Sequence, residues 1–182
     1  VEAICAEEGT LKVVDDLTAE PAVSDIERVL HEVEGDHPDL VVGLGGGSVM
    51  DAAKLASILI GADYTLHDLL ADASVAKKQV RSVMIPTTCG TGSEATCNAI
   101  VAIPEESSKK GIVNSCMISD YVILDVTMIA QLPPKIIAAT GVDALAHCVL
   151  HLEEGDHAQR PIREGGRTQD LPQYPQSVFY GR

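Results

Sequence analysis

Basic residues are scarce in this chain of 182: 13 Lys and Arg stand against 27 Asp and Glu, a formal net charge of −14. A surface of that sign repels phosphate backbones and anionic bilayers, so nucleic acid and membrane surfaces are excluded as partners. No apolar run approaches the ~20 residues that a membrane helix needs. The start, Val1-Glu2-Ala3-Ile4, lacks a basic segment followed by an apolar one, so no signal peptide is expected. It also lacks an initiator Met, and the N-terminus is expected to be cut. The five cysteines are an odd number without a C-x-x-C pair. They read as reduced thiols, mostly small buried apolar residues, of a cytoplasmic protein.

What is present suits one α/β domain, or one and a half small ones. Hydrophobic residues make up 46%, enough for a substantial core and too many for wholesale disorder. Composition shifts near residue 150. All seven Lys precede it, whereas Arg160, Arg163, Arg167 and Arg182, and Tyr174, Phe179 and Tyr180, follow it. The stretch after it shows no sustained period of 2 or 3.6. The expected organisation is a dinucleotide-binding α/β domain over residues 1–149 and an atypical, poorly structured tail over 150–182.

Before residue 150 strands and helices alternate. Leu11 to Val14 reads as a short strand. Ser24 opens a helix with Glu27 as its capping partner, and Ile26, Val29, Leu30 and Val33 share one face. Gly35-Asp36-His37-Pro38 breaks it. Asp39 to Leu44 is a continuous apolar run suited to a buried parallel strand. Helix 49–60 is apolar almost all round and should be buried. Further strands are expected at Arg81 to Pro86 and Tyr121 to Leu124, with a hairpin of Asn98 to Ile103 and Gly111 to Val113. A last helix runs from Pro133 to Val149, with a break expected at Gly141. The alternation predicts a Rossmann-like α/β fold, a mainly parallel sheet with helices on both faces.

Three segments carry chemistry. Gly45-Gly46-Gly47-Ser48 joins a strand to a helix, and glycines there let the backbone come close to a phosphate at the helix N-terminus. Ser48 and Asp51 also match a capping box, which needs no ligand. Pro86 to Thr96 packs hydroxyls and glycines into a second loop after a strand, where ribose, phosphate or carboxamide can bind. Thr91 and Glu94 equally match a capping box there. Asp143 and His147 stand at i and i+4 and can converge on one ion, for which oxygen plus imidazole suits Fe, Zn or Mn; an ion pair on a helix surface gives the same spacing.

Taken in order, Gly45-Gly-Gly-Ser-Val-Met-Asp51-Ala-Ala-Lys54, Pro86-Thr-Thr-Cys-Gly-Thr-Gly-Ser-Glu94-Ala-Thr96 and Ala139-Thr-Gly-Val-Asp143-Ala-Leu-Ala-His147 resemble the iron-containing, or group III, alcohol dehydrogenases. The resemblance covers roughly Leu11 to Cys148 and implies an oxidoreductase using NAD or NADP. It implies that Gly46, Gly47 and Ser48 hold the cofactor pyrophosphate with Asp51 nearby. Thr87, Thr88 and Thr91 would line its adenine, ribose and phosphate side, and Asn98 and Lys110 the ribose and nicotinamide end. Asp143 and His147 match the first two ligands of a catalytic metal, Fe(II) or in some members Zn, acting as Lewis acid on a small alcohol or aldehyde. A homo-oligomer of the family type is implied as well.

The chain also departs from that family. Where its members have Pro-Asn-Pro-Thr, with the Asn approaching the adenosine, this sequence has Ala19-Glu20-Pro21-Ala22. The family's first strand and its C-terminal helical domain, with two further His ligands, are expected to be missing, leaving a fragment with little activity. The competing expectation is a non-catalytic dinucleotide-binding module with an interaction role.

Overall fold

The computed structural model describes residues 10–130 and 132–157. In chain order these form helix α1 (Val23–Glu32), strand β1 (Leu40–Gly45), helices α2 (Gly47–Leu59) and α3 (Leu66–Ala71), strand β2 (Arg81–Pro86), strands β3 (Asn98–Ile103) and β4 (Ser108–Val113), strand β5 (Tyr121–Val122), and helices α4 (Val126–Ala130) and α5 (Pro134–His157). Strands β1, β2 and β5 make a parallel sheet in the order β1-β2-β5, and β3 and β4 form a separate antiparallel hairpin. The parallel order follows from the crossover between β1 and β2, which carries α2 and α3 and is long enough to return the chain to the same edge.

Helix α2 is the centre of the structure. Every residue from Ala52 to Leu59 is buried, as its nearly all-round apolar sequence requires. On one side Leu55 and Ile58 join Ile26, Leu66, Leu69, Val101, Ile112 and Met117, so α1, α3 and the hairpin share one aliphatic core. On the other side Met50 and Ala53 pack on Met84 of β2 beside Val41 of β1. Gly43 makes that second contact possible. A Cβ there would lie 2.6 Å from the Met84 sulfur and 2.9 Å from the Ala53 methyl. Gly43→Ala is therefore expected to destabilise the domain by about 1–3 kcal/mol through overpacking. Urea unfolding would show a lower midpoint at an unchanged slope.

Several elements differ from the sequence expectation. Leu11 to Val14 forms no strand: no strand among the described residues pairs with it, Val13 is exposed, and Lys12 makes an ion pair with Asp36 at 2.8 Å. Helix α1 is capped two residues earlier, because the Asp25 carboxylate accepts the Ala22 N–H at 2.9 Å in place of a Ser24–Glu27 box. The apolar run of β1 is covered on one face. Leu40, Val42 and Leu44 alternate outward and are 45%, 42% and 46% exposed. The strand at Tyr121 is two residues long. Helix α5 passes through Gly141 without a break and continues beyond residue 149 to His157. The rest of the expected tail, 158–182, lies outside the described residues. Among the described cysteines, Cys89, Cys97 and Cys116 are half-buried and Cys148 is exposed, rather than mostly buried. No helix among the described residues is long and apolar enough to cross a membrane.

Candidate functional site

Both glycine- and hydroxyl-rich loops leave the carboxyl ends of adjacent strands. The β1–β2 register ends on Gly45 opposite Pro86, and the Thr87 N–H donates to the Gly45 carbonyl at 2.9 Å. The first loop opens helix α2. Its N-cap is Gly46, in extended backbone at φ −80° and ψ 

−173°, with no side-chain cap and no acidic residue in the first turn. The free N–H groups and the positive end of the helix dipole are thus left for an anion. The expected Ser48–Asp51 capping box does not form. Ser48 Oγ instead accepts the N–H of Glu20 at 3.2 Å. A Cβ at Gly46 would touch only the Thr88 side chain, no closer than 3.4 Å, so the fold itself does not require glycine there. The space fits the close approach of a pyrophosphate.

Asp51 points sideways rather than back to its helix start. One carboxylate oxygen accepts the Ser93 hydroxyl and pairs with Lys54 at 3.0 Å; the other accepts the Ile100 N–H at 3.0 Å. Lys54 is completely buried and donates to the Ser93 carbonyl (3.0 Å), to Thr96 Oγ1 (3.3 Å) and to the Asn98 carbonyl. Burial pushes its pKa below the usual lysine value, and the neighbouring Asp51 carboxylate opposes that shift. The sequence reading gave Lys54 no role. Its signal was available: a lone cation at i+3 from Asp51 in an otherwise apolar helix must be buried with partners.

The second loop is also uncapped in the expected sense. Gly92, at φ +61°, precedes a single turn over Ser93–Ala95, and Thr91 Oγ1 accepts the Ser93 N–H at 3.4 Å, so Thr91 and Glu94 form no box. Gly90 sits at φ +134°, and a Cβ there would lie 2.2 Å from the Thr140 carbonyl oxygen. Only glycine permits this seating of α5 on the loop. Cys89 Sγ and Thr140 Oγ1 approach to 3.3 Å at the same seat.

The outcome is one cleft of about 770 Å³. Of the residues singled out by the sequence, Gly47, Ser48, Asp51, Thr91, Asn98, Asp143 and His147 line it together. Gly46 and Thr88 adjoin each other at the loop junction, and Thr87 ties the two strands' ends there. Lys110 is not among the lining residues. In β4 it is paired with Val101, on the hairpin's other face, and it bonds Glu106 at 3.2 Å beside a separate cleft of about 580 Å³. The period of 2 brings Lys109 to the first cleft with Asn98, Ile100 and Ala102. Lys109 reaches across its mouth to Glu20 at 2.6 Å. Glu20 holds φ +60°, and the adjoining Pro21 carbonyl accepts the Ala102 N–H at 3.0 Å, which fixes this rim on β3.

Asp143 and His147 share one face of α5, with His147 Nε2 at 3.7 Å from Asp143 Oδ1 and both side chains substantially exposed. A carboxylate and an imidazole facing the cleft fit part of a coordination sphere for Fe or Zn. Among the described residues no group of three or more His, Cys, Asp or Glu is placed to hold a metal ion.

A parallel sheet whose strand ends carry a glycine turn and an uncapped helix N-terminus defines a Rossmann-like α/β domain. The sequence model for iron-containing alcohol dehydrogenases matches residues 1–126. The chain belongs to the iron-containing alcohol dehydrogenase family, a family of oxidoreductases. It is 34% identical over 148 residues to a sulfoacetaldehyde reductase of Bilophila wadsworthia, covering 81% of this chain and 38% of the relative. It is 35% identical to long-chain-alcohol dehydrogenase 1 of Geobacillus thermodenitrificans, covering 77% of this chain and 36% of that one. An iron-containing alcohol dehydrogenase of Thermotoga maritima superposes with a TM-score of 0.74 at 35% identity, covering 81% of this chain and 41% of that structure. Sulfoacetaldehyde reductase from Bifidobacterium kashiwanohense, solved in complex with NAD+, gives 0.70 at 30% identity over 78% and 38%. The chain thus spans about two fifths of the length of these relatives.

Proposed function

We propose that this chain is the cofactor-binding part of an NAD(P)-dependent alcohol dehydrogenase acting on a small alcohol or aldehyde. The observation that carries the reading is the single cleft into which the open start of α2, the hydroxyl loop and the Asp143–His147 pair all face. The N–H groups of Gly47 and Ser48 would receive the pyrophosphate, and Thr91 and Asn98 its sugar and nicotinamide side. Asp143 and His147 would hold Fe(II) or Zn(II). When bound, that metal supplies Lewis acidity to an alcohol oxygen, and the nicotinamide exchanges the hydride. The role of the protein is to hold the two reactants at one place, with α5 seated on the loop beside the pyrophosphate site.

Among the described residues these two donors would leave most of an ion's shell to water, where three or four protein ligands are usual. The 182-residue chain by itself is therefore expected to bind metal weakly and to show no steady turnover. Anaerobic purification with Fe(II) or Zn(II), metal analysis, and assays of small primary alcohols with NAD and NADP test this. Stoichiometric metal that is lost in His147→Ala, together with turnover, would overturn that expectation.

A further inference from the structure

We propose that Lys54 is the positioning residue of the cofactor cleft: its buried ammonium pins the Ser93–Asn98 segment to helix α2 and cancels the charge of Asp51 beside the diphosphate site. The inference rests on the cleft binding a dinucleotide, and it extends that reading to a residue that itself lies beneath the cleft wall.

The geometry separates two tasks. Lys54 is 0% exposed, yet its ammonium meets acceptors from three directions: the Ser93 carbonyl, Thr96 Oγ1 and the Asn98 carbonyl. These belong to the second loop and the first residue of β3. One cation in α2 thereby fixes the wall that carries Ser93, Thr96 and Asn98, all of which line the cleft. The second task is electrostatic. Asp51 lies one turn beyond the open N-terminus of α2, lines the same cleft, and is 13% exposed. An uncompensated carboxylate there would repel a diphosphate and offset the positive potential that the helix start presents to it. Lys54, at 3.0 Å from Asp51, removes that repulsion from below without occupying cleft volume.

The test is a charge-compensation cycle on the full chain, with NADH as the probe. Lys54→Met keeps the stem and removes the charge. It is expected to weaken NADH binding by roughly tenfold or more, since a buried carboxylate loses its partner. Adding Asp51→Asn removes the stranded charge while its amide still bonds Ser93 and Ile100, and it is expected to recover a large part of that loss. Hydrogen exchange supplies a readout without ligand. The Ala95, Thr96 and Ile100 amides should exchange faster in both variants, because the segment has lost its pin, while amides within α1 keep their protection. A folded Lys54→Met that binds NADH as wild type does, or a double variant no better than the single one, overturns the proposal. So does unchanged exchange at residues 95–100. If Lys54→Met does not fold but the double variant does, the compensation of Asp51 is supported directly; if neither folds, while Asp51→Asn alone does, Lys54 is a packing residue and the proposal fails. Wild-type protein that binds no NADH overturns the dinucleotide reading instead, and the exchange comparison still decides whether Lys54 pins the segment.

Discussion

Gly46→Asp is expected to abolish NADH binding while leaving the domain as stable as before. Gly46 is the N-cap of α2 and has extended backbone at φ −80°, which any residue adopts. A Cβ there meets only Thr88, at 3.4 Å from its hydroxyl oxygen. Aspartate is a preferred N-cap, and its carboxylate would accept the N–H groups of the first turn, worth a few tenths of a kcal/mol over glycine. The same carboxylate would fill the open helix start and place a negative charge where the diphosphate is proposed to lie. Affinity should fall by roughly a hundredfold or more, the scale expected when a phosphate site is both filled and reversed in sign. Fluorescence titration with NADH, alongside thermal melts of both proteins, checks this. Equal affinity in the two proteins would mean that the glycine loop is not the site. A melting temperature lowered by many degrees would mean that the backbone at Gly46 is less permissive than its geometry implies.

Gly90→Ala is expected to have the opposite profile, with a large loss of stability localised to α5. Its φ of +134° is a region that side chains rarely adopt, and the new methyl would lie 2.2 Å from the Thr140 carbonyl oxygen. Backbone cannot rotate away as a side chain tip can, so helix α5 or the loop must move. Strain and lost seating together should cost about 2–4 kcal/mol. The consequence reaches the proposed metal ligands, because Asp143 and His147 lie within two turns of Thr140 on that helix. Hydrogen exchange should show faster opening of residues 140–147 while the amides of buried α2 keep their protection. Gly61→Asn is the control: Gly61 has φ +73° but nothing within 4 Å of a Cβ, and asparagine tolerates that region. Equal exchange in Gly90→Ala and wild type would show that α5 does not depend on this contact.

The strand and helix pattern was legible in the sequence wherever a long periodic or apolar run met clear punctuation. Arg81–Pro86 and Asn98–Ile103 have the bounds that the sequence implied, and α2 is buried as its composition requires. Leu11 to Val14 failed because a strand needs a partner, and residue type does not say whether one is near. The capping boxes failed for a related reason. A Ser or Thr three residues before an acid satisfies the local pattern, but Asp51 gains more from Ser93 and Ile100, which only the folded chain brings within reach. Lys110 and Lys109 are adjacent in sequence, and the hairpin register alone decides that Lys109 faces the cleft.

What the sequence by itself determined, without the short helices α3 and α4, was the alternation of strand and helix, the glycine turn between β1 and α2, and the i, i+4 spacing of Asp143 and His147. These depend on neighbours within one or two turns, where covalent geometry fixes the outcome. Tertiary structure alone decided which side chains share a site. The β1–β2 register sets the two loops side by side, and the Gly90–Thr140 contact lays α5 beside them. The partners of buried Lys54, on the second loop and the start of β3, make it the support of the cleft wall. Each of these joins residues dozens of positions apart, and such contacts depend on packing that local sequence patterns do not encode.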